Sequence, residues 1–147
     1  MEKFKTEIFE NEKPGSRLEF VTLDEVESGK VIGFLLKALG FPDPKITDQE
    51  FFPRCEDRID TKVSGNGEVT ADDIRSLFDK GQLQSEEQAY LIWGVWTLVD
   101  QVALHYLLDN WEFFWYDASD EAILIYLPGP KNAVLVTESR YSGLISF

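Results

Sequence analysis

Apolar and polar residues change their spacing several times along the chain of 147 residues, and each change predicts a new element. KFKTEIF (Lys3–Phe9) and RLEFVT (Arg17–Thr22) alternate apolar with polar positions, and NEKPGS lies between them. Period two with a Pro-Gly connection predicts a β-hairpin. Thr22 and Glu25 have the spacing of a capping box and precede an apolar run that ends at Gly40, which predicts a helix from about Leu23 to Leu39 with Gly29 weakening its middle. FPDP then breaks the chain. Thr47 and Glu50 form a second such box, with Pro53 inside the helix they open, so that helix is either short and kinked or restarts with Pro53 in its first turn. Thr70 caps ADDIRSLFDK, placing Asp72 and Asp73 at the positive end of a helix that Gly81 terminates. Ser85 with Gln88 opens the longest predicted helix, which runs to about Asp109.

Past Asn110 the runs WEFFWY (Trp111–Tyr116), AILIYL (Ala122–Leu127), AVLVT (Ala133–Thr137) and YSGLISF (Tyr141–Phe147) are separated by DASD, PGPKN and ESR. Connections this short join only antiparallel neighbours, which predicts a four-stranded antiparallel meander. Its two middle runs are apolar at nearly every position, so both faces should be covered. The expected fold is α+β, a single domain over residues 1–147. The C-terminal meander packs against the long helix, alongside an N-terminal β-hairpin and two or three further helices.

Charge narrows the possible partners. Fourteen bases against 27 acids leave a net charge of -13, which repels nucleic-acid phosphates and anionic membrane surfaces. From residue 81 to 130 there are eight acids (Glu86, Glu87, Asp100, Asp109, Glu112, Asp117, Asp120, Glu121) and no Lys or Arg. Such a stretch is either a solvated acidic face or a surface that steers towards a basic partner. Cys55, the one cysteine, cannot form an internal disulfide, and the N-terminal residues lack the apolar run of a secretory signal. A cytoplasmic location is expected. Ala89–Leu108 has the length of a membrane span, but an aspartate near its centre, Asp100, opposes insertion by about 2.5–3.5 kcal/mol.

KVSGNGEVTADDI (Lys62–Ile74) resembles the calcium loop of dockerin modules over about thirteen residues. With Gly67 as the tight-turn glycine, Lys62, Ser64 and Asn66 fall at the first, third and fifth ligand positions, Val69 at the aliphatic position and Asp73 at the last ligand. The resemblance implies a bound calcium ion, but calcium needs six to eight oxygen ligands, several of them anionic. Lys62 puts an ammonium group where the first carboxylate belongs. The residues read more simply as a tight turn followed by a helix cap.

His105, the only histidine, stands one helical turn before Asp109, the spacing of half an acid–base site, but no recognisable nucleophile accompanies it. One His and one Cys cannot build a structural zinc site, and Gly65 and Gly67 match no phosphate-binding fingerprint. Neither a metal nor another cofactor is expected. The aromatic run is the remaining oddity: Trp111, Phe113 and Trp115 would share one face of a strand, with Asp109, Glu112, Asp117, Asp120 and Glu121 close in sequence. If that face is open, aromatic anchors rimmed by carboxylates make a docking patch for an Arg- or Lys-rich protein. The expected function is therefore non-enzymatic: an acidic stoichiometric inhibitor or immunity-type partner of a basic protein, such as a nuclease toxin. Its contacts would come from Asp109, Trp111, Glu112, Trp115, Asp117, Asp120 and Glu121. An accessory or scaffolding subunit is the alternative, and a carboxylate-based enzyme using His105 is the second alternative.

Overall fold

AILIYL and AVLVT become adjacent central strands of one antiparallel sheet. The computed structural model describes residues 1–42, 45–64, 68–78, 87–138 and 141–147, with the backbone alone described at 62–64 and 141–142. Among these residues the strands are β1 (Val21–Thr22), β2 (Thr61–Ser64), β3 (Gln88–Ile92), β4 (Asp100–Ala103), β5 (Ala122–Leu127), β6 (Asn132–Thr137) and β7 (Tyr141–Ser146). They form a seven-stranded sheet in the order β1-β4-β3-β5-β6-β7-β2, antiparallel at every pairing.

Five consecutive residues are buried in β5 and again in β6, because helices cover both faces of the sheet. Alternation sends Ile123, Ile125, Leu127, Val134 and Val136 to one core and Leu124, Tyr126, Ala133 and Leu135 to the other. The first core is closed by α1 (Lys3–Glu12), α4 (Ala71–Leu77), α5 (Leu104–Asp109) and α6 (Trp111–Phe114); the second by α2 (Glu25–Ala38) and α3 (Asp48–Asp57). The mixed helix-and-strand fold and its antiparallel sheet match expectation.

Several particulars differ. Lys3–Phe9 is helical, so the N-terminal hairpin does not form; of Arg17–Thr22 only Val21 and Thr22 pair, with β4. The alternation in KFKTEIF is dominated by Lys and Glu, good helix formers, while Lys5 and Phe9, one turn apart, provide the buried stripe. The long helix is replaced by the β3–β4 hairpin and then the short α5. A run that is apolar nearly throughout does not distinguish a buried strand from a buried helix. Here Gly94 opens the turn between the strands: a Cβ there would stand 2.9 Å from Asp48 Oδ2, and Asp48 Oδ1 accepts the Val95 N–H at 2.7 Å. Ser85 and Gly81 lie outside the described residues. WEFFWY is not the first strand of the meander but a helical turn, in which Trp111 and Trp115 stack at 6.0 Å. The meander therefore has three strands, β5 to β7, flanked by β3 and by the unforeseen β2.

The helix punctuation was readable in part: Thr47 stands at the N-cap of α3 as expected, but its side chain makes no capping hydrogen bond. Asp24, rather than Thr22, caps α2, accepting the Glu27 N–H at 2.8 Å. The helix ends where Gly40, at φ 82°, lets the Phe41 N–H reach Leu36 O and its own N–H reach Lys37 O. Pro53 sits inside α3, which runs on through it. Thr70 and Asp73 form the complete capping box of α4. The Asp73 carboxylate thus serves the Thr70 N–H and hydroxyl, while Lys62 and Ser64 belong to the edge strand β2; Gly65, Asn66 and Gly67 lie outside the described residues. No described helix is long and apolar enough to cross a membrane.

Two stability measurements test this packing. A Cβ at Gly143 would fall 2.6 Å from Ile59 Cδ1, so Gly143→Ala is expected to lose about 1–3 kcal/mol in urea unfolding. Burial pushes the Cys55 thiol up from 9.0 to about 12, so the native protein should resist thiol reagents at neutral pH and react at its unfolding rate. The same shift stabilises the fold fully below pH 9.0, and that stability is lost as pH rises towards 12, because the unfolded chain ionises first. Urea titrations should show the wild type losing stability over that window more steeply than Cys55→Ala.

Candidate functional site: two acidic concavities

Two of the acids between residues 81 and 130 are used inside the molecule. Lys5, 1% exposed, sends its ammonium group to Asp120 Oδ1 at 2.9 Å, Asp120 Oδ2 at 2.8 Å and Phe114 O at 2.8 Å. The ring of Trp93 lies 3.9 Å from the same nitrogen. Burial pushes the Lys5 pKa down, and the Asp120 carboxylate opposes that shift through its hydrogen bond and charge. Asp120 Oδ2 also accepts the Tyr116 N–H at 2.8 Å. Asp100, fully buried, accepts Thr22 Oγ1 at 2.6 Å and Trp93 Nε1 at 2.9 Å, and its Oδ2 lies 2.7 Å from the Met1 ammonium. Trp93 therefore joins the two ion pairs, one through its edge and one through its face.

Of the remaining acids, Glu112 and Asp117 line one depression and Glu121 another, Glu87 and Asp109 line neither, and Glu86 lies outside the described residues. The first, a groove of about 480 Å³, brings together Trp111, Glu112, Trp115 and Asp117 with Glu68 and Thr70. Both tryptophans are buried, as floor rather than as protruding anchors, because their N–H groups are satisfied internally: Trp111 donates to Val69 O at 2.9 Å and Trp115 to Asp117 Oδ1.

The second, a cleft of about 560 Å³, opens between α3 and the adjoining ends of β5 and β6. Glu2, Asp48, Glu56, Asp120, Glu121 and Glu138 line it together with Phe52, Trp93 and Thr137, and none of its described lining residues is Lys or Arg. The one cationic group among its described lining residues, the Met1 ammonium, is engaged by Asp100. Strand register creates part of this charge. Ala122 pairs with Thr137, and the Glu138 N–H bonds Glu121 O at 2.8 Å, so two exposed glutamates face each other just past the ladder. Like charges in that relation oppose folding. Glu2, Glu56, Glu121 and Glu138 have no ion-pair partner among the described residues.

Asp109 lines neither depression; it meets Arg75 at 3.1 Å, and Arg75 also holds Asp72 at 2.9 Å. His105 is exposed on α5 and likewise lines neither. Of the seven expected contact residues, four gather in the groove, Asp120 and Glu121 in the cleft, and Asp109 stands apart. Glu2, Asp48, Glu56 and Glu138 escaped sequence reasoning because they arrive from distant segments. A signal existed for one of them: antiparallel pairing of AILIYL with AVLVT across a short turn sets Glu121 opposite Glu138. No described group of three or more His, Cys, Asp or Glu is placed to hold a metal ion.

No family model matches the chain, no curated protein is significantly similar to it, and no solved structure matches it.

The two kinds of acid should separate on mutation. Asp120→Ala leaves a buried ammonium group without its counter-ion and is expected to lose about 3–5 kcal/mol in urea unfolding. Glu121→Gln, on the surface, should stay within about 0.5 kcal/mol of the wild type.

Proposed function

We propose that this is a non-enzymatic, cytoplasmic, acidic binding module that occupies a basic protein, as a stoichiometric inhibitor or immunity-type partner of, for example, a nuclease toxin. The observation that supports it is the α3 cleft, where Glu2, Glu56, Glu121 and Glu138 converge without a Lys or Arg among the described lining residues. A basic site built for phosphate accepts carboxylates in the phosphates' place, and unpaired like charge is what such a surface must retain. The net charge of -13 adds long-range attraction, which raises the rate of encounter. Glu112 and Asp117, above the Trp111–Trp115 floor, supply a second acidic contact area.

A second reading, an accessory subunit of a complex, is favoured by the β3–β4 turn, where Trp96 is 73% exposed and Leu98 39% exposed. Apolar exposure of that kind suits a permanent partner rather than an electrostatically steered one.

The test is charge reversal at the cleft with Asp120 left intact. Glu56→Lys/Glu121→Lys/Glu138→Lys should fold normally by circular dichroism and lose about tenfold or more in affinity for a basic partner captured from the source cells. The association rate of the wild type should fall as salt rises. Unchanged affinity by calorimetry, or a partner lost only with Trp96→Ser, would favour the accessory-subunit reading instead.

A further inference from the structure

Thr137 is 5% exposed, and its Oγ1 has no hydrogen-bond partner among the described residues. It closes β6 on the same face as Ala133 and Leu135, the face that packs on α3, and so sits in the wall of the acidic cleft. An isolated buried hydroxyl disfavours the empty state. Valine has nearly the same shape, suits a strand equally and carries no polar atom to desolvate. The unsatisfied hydroxyl and the unpaired carboxylates are independent features: the first asks for a hydrogen-bond donor and the second for positive charge, and one cationic donor meets both.

We propose that the cleft is an arginine socket, in which a guanidinium group from the basic partner enters between α3 and the Glu121–Glu138 end of the sheet and donates to Thr137 Oγ1 and to the flanking carboxylates. This rests on the proposed function and specifies its contact. Guanidinium fits better than ammonium for two reasons. Its planar fork of five donors serves a hydroxyl and two carboxylates at once, and it sheds water more readily than the compact lysine head. Its flat face also needs a stacking surface. The Trp93 ring already carries Lys5 at 3.9 Å, which leaves Phe52 on the α3 wall.

The experiment is an amide NMR titration with the capped peptide Gly-Arg-Gly, its citrulline and lysine counterparts, and spermidine. The arginine peptide should shift the Glu121, Thr137 and Glu138 amides saturably, citrulline should leave them unmoved, and lysine should bind roughly fivefold more weakly. Thr137→Val should bind the arginine peptide roughly fivefold more weakly, yet unfold at a temperature about 3 °C higher. Thr137→Ser should restore binding. A merely structural threonine cannot produce those opposite signs. Equal shifts with citrulline, tighter binding of spermidine than of the arginine peptide, or unchanged binding by Thr137→Val would overturn the socket. The two proposals fail separately. Capture of a basic partner that is lost on charge reversal but indifferent to Thr137→Val removes the socket alone. A saturable arginine site in a protein that captures no basic partner removes the proposed function alone.

Discussion

The ammonium group of Lys5 is the point on which the rest of the molecule depends. Placing a charge where 1% of its side chain remains exposed is unfavourable unless every donor finds an acceptor. Here three short contacts and an aromatic face meet it together. Those partners come from the end of α6, the turn before β5 and the end of β3. One side chain therefore ties the first helix to three separate parts of the sheet and its cover. The same turn carries Asp120 into the interior and leaves its neighbour Glu121 on the surface. Glu2, three residues before Lys5, is brought to the same cleft.

This arrangement changes what the net charge means. Asp100 and Asp120 are buried and each is answered by an ammonium group, so they add little to the field that a partner would feel. Asp109 is answered by Arg75. The negative surface is instead assembled from segments far apart in sequence, with acids of the first sixty residues standing beside Glu121 and Glu138. A lysine-free stretch and an acidic surface are thus different things, because the described acids of the stretch are spread over core, groove, cleft and positions outside all three.

How much was legible varied with the range of the interactions that decide each element. The caps at Thr70 and Gly40 were readable because they depend on contacts three to five residues apart. β5, β6 and β7 were readable because runs of Ile, Leu and Val separated by tight turns have few other ways to fold. By contrast, QAYLIWGVWTLVDQVAL offered an apolar cylinder or an apolar hairpin with equal local merit. The hairpin is supported by distant partners, among them β5, which pairs with β3, and Asp48, forty-seven residues away, whose carboxylate accepts the Val95 N–H. The helical turn at Trp111 is likewise secured from outside, by Val69 O.

By itself the sequence determined a mixed helix-and-strand chain with an antiparallel C-terminal sheet apolar on both faces, a large negative charge and a capped helix after Thr70. Local propensity, side-chain alternation and capping act over a few residues, and the sequence states those directly. Only the tertiary structure decided which of the described acids are buried and which are exposed, that Trp111 and Trp115 form a floor, and that Thr137 has no hydrogen-bond partner among the described residues and lines a cleft with four glutamates. Electrostatic fate depends on burial and on partners about 3 Å away in space, and neither is written in the order of residues along the chain.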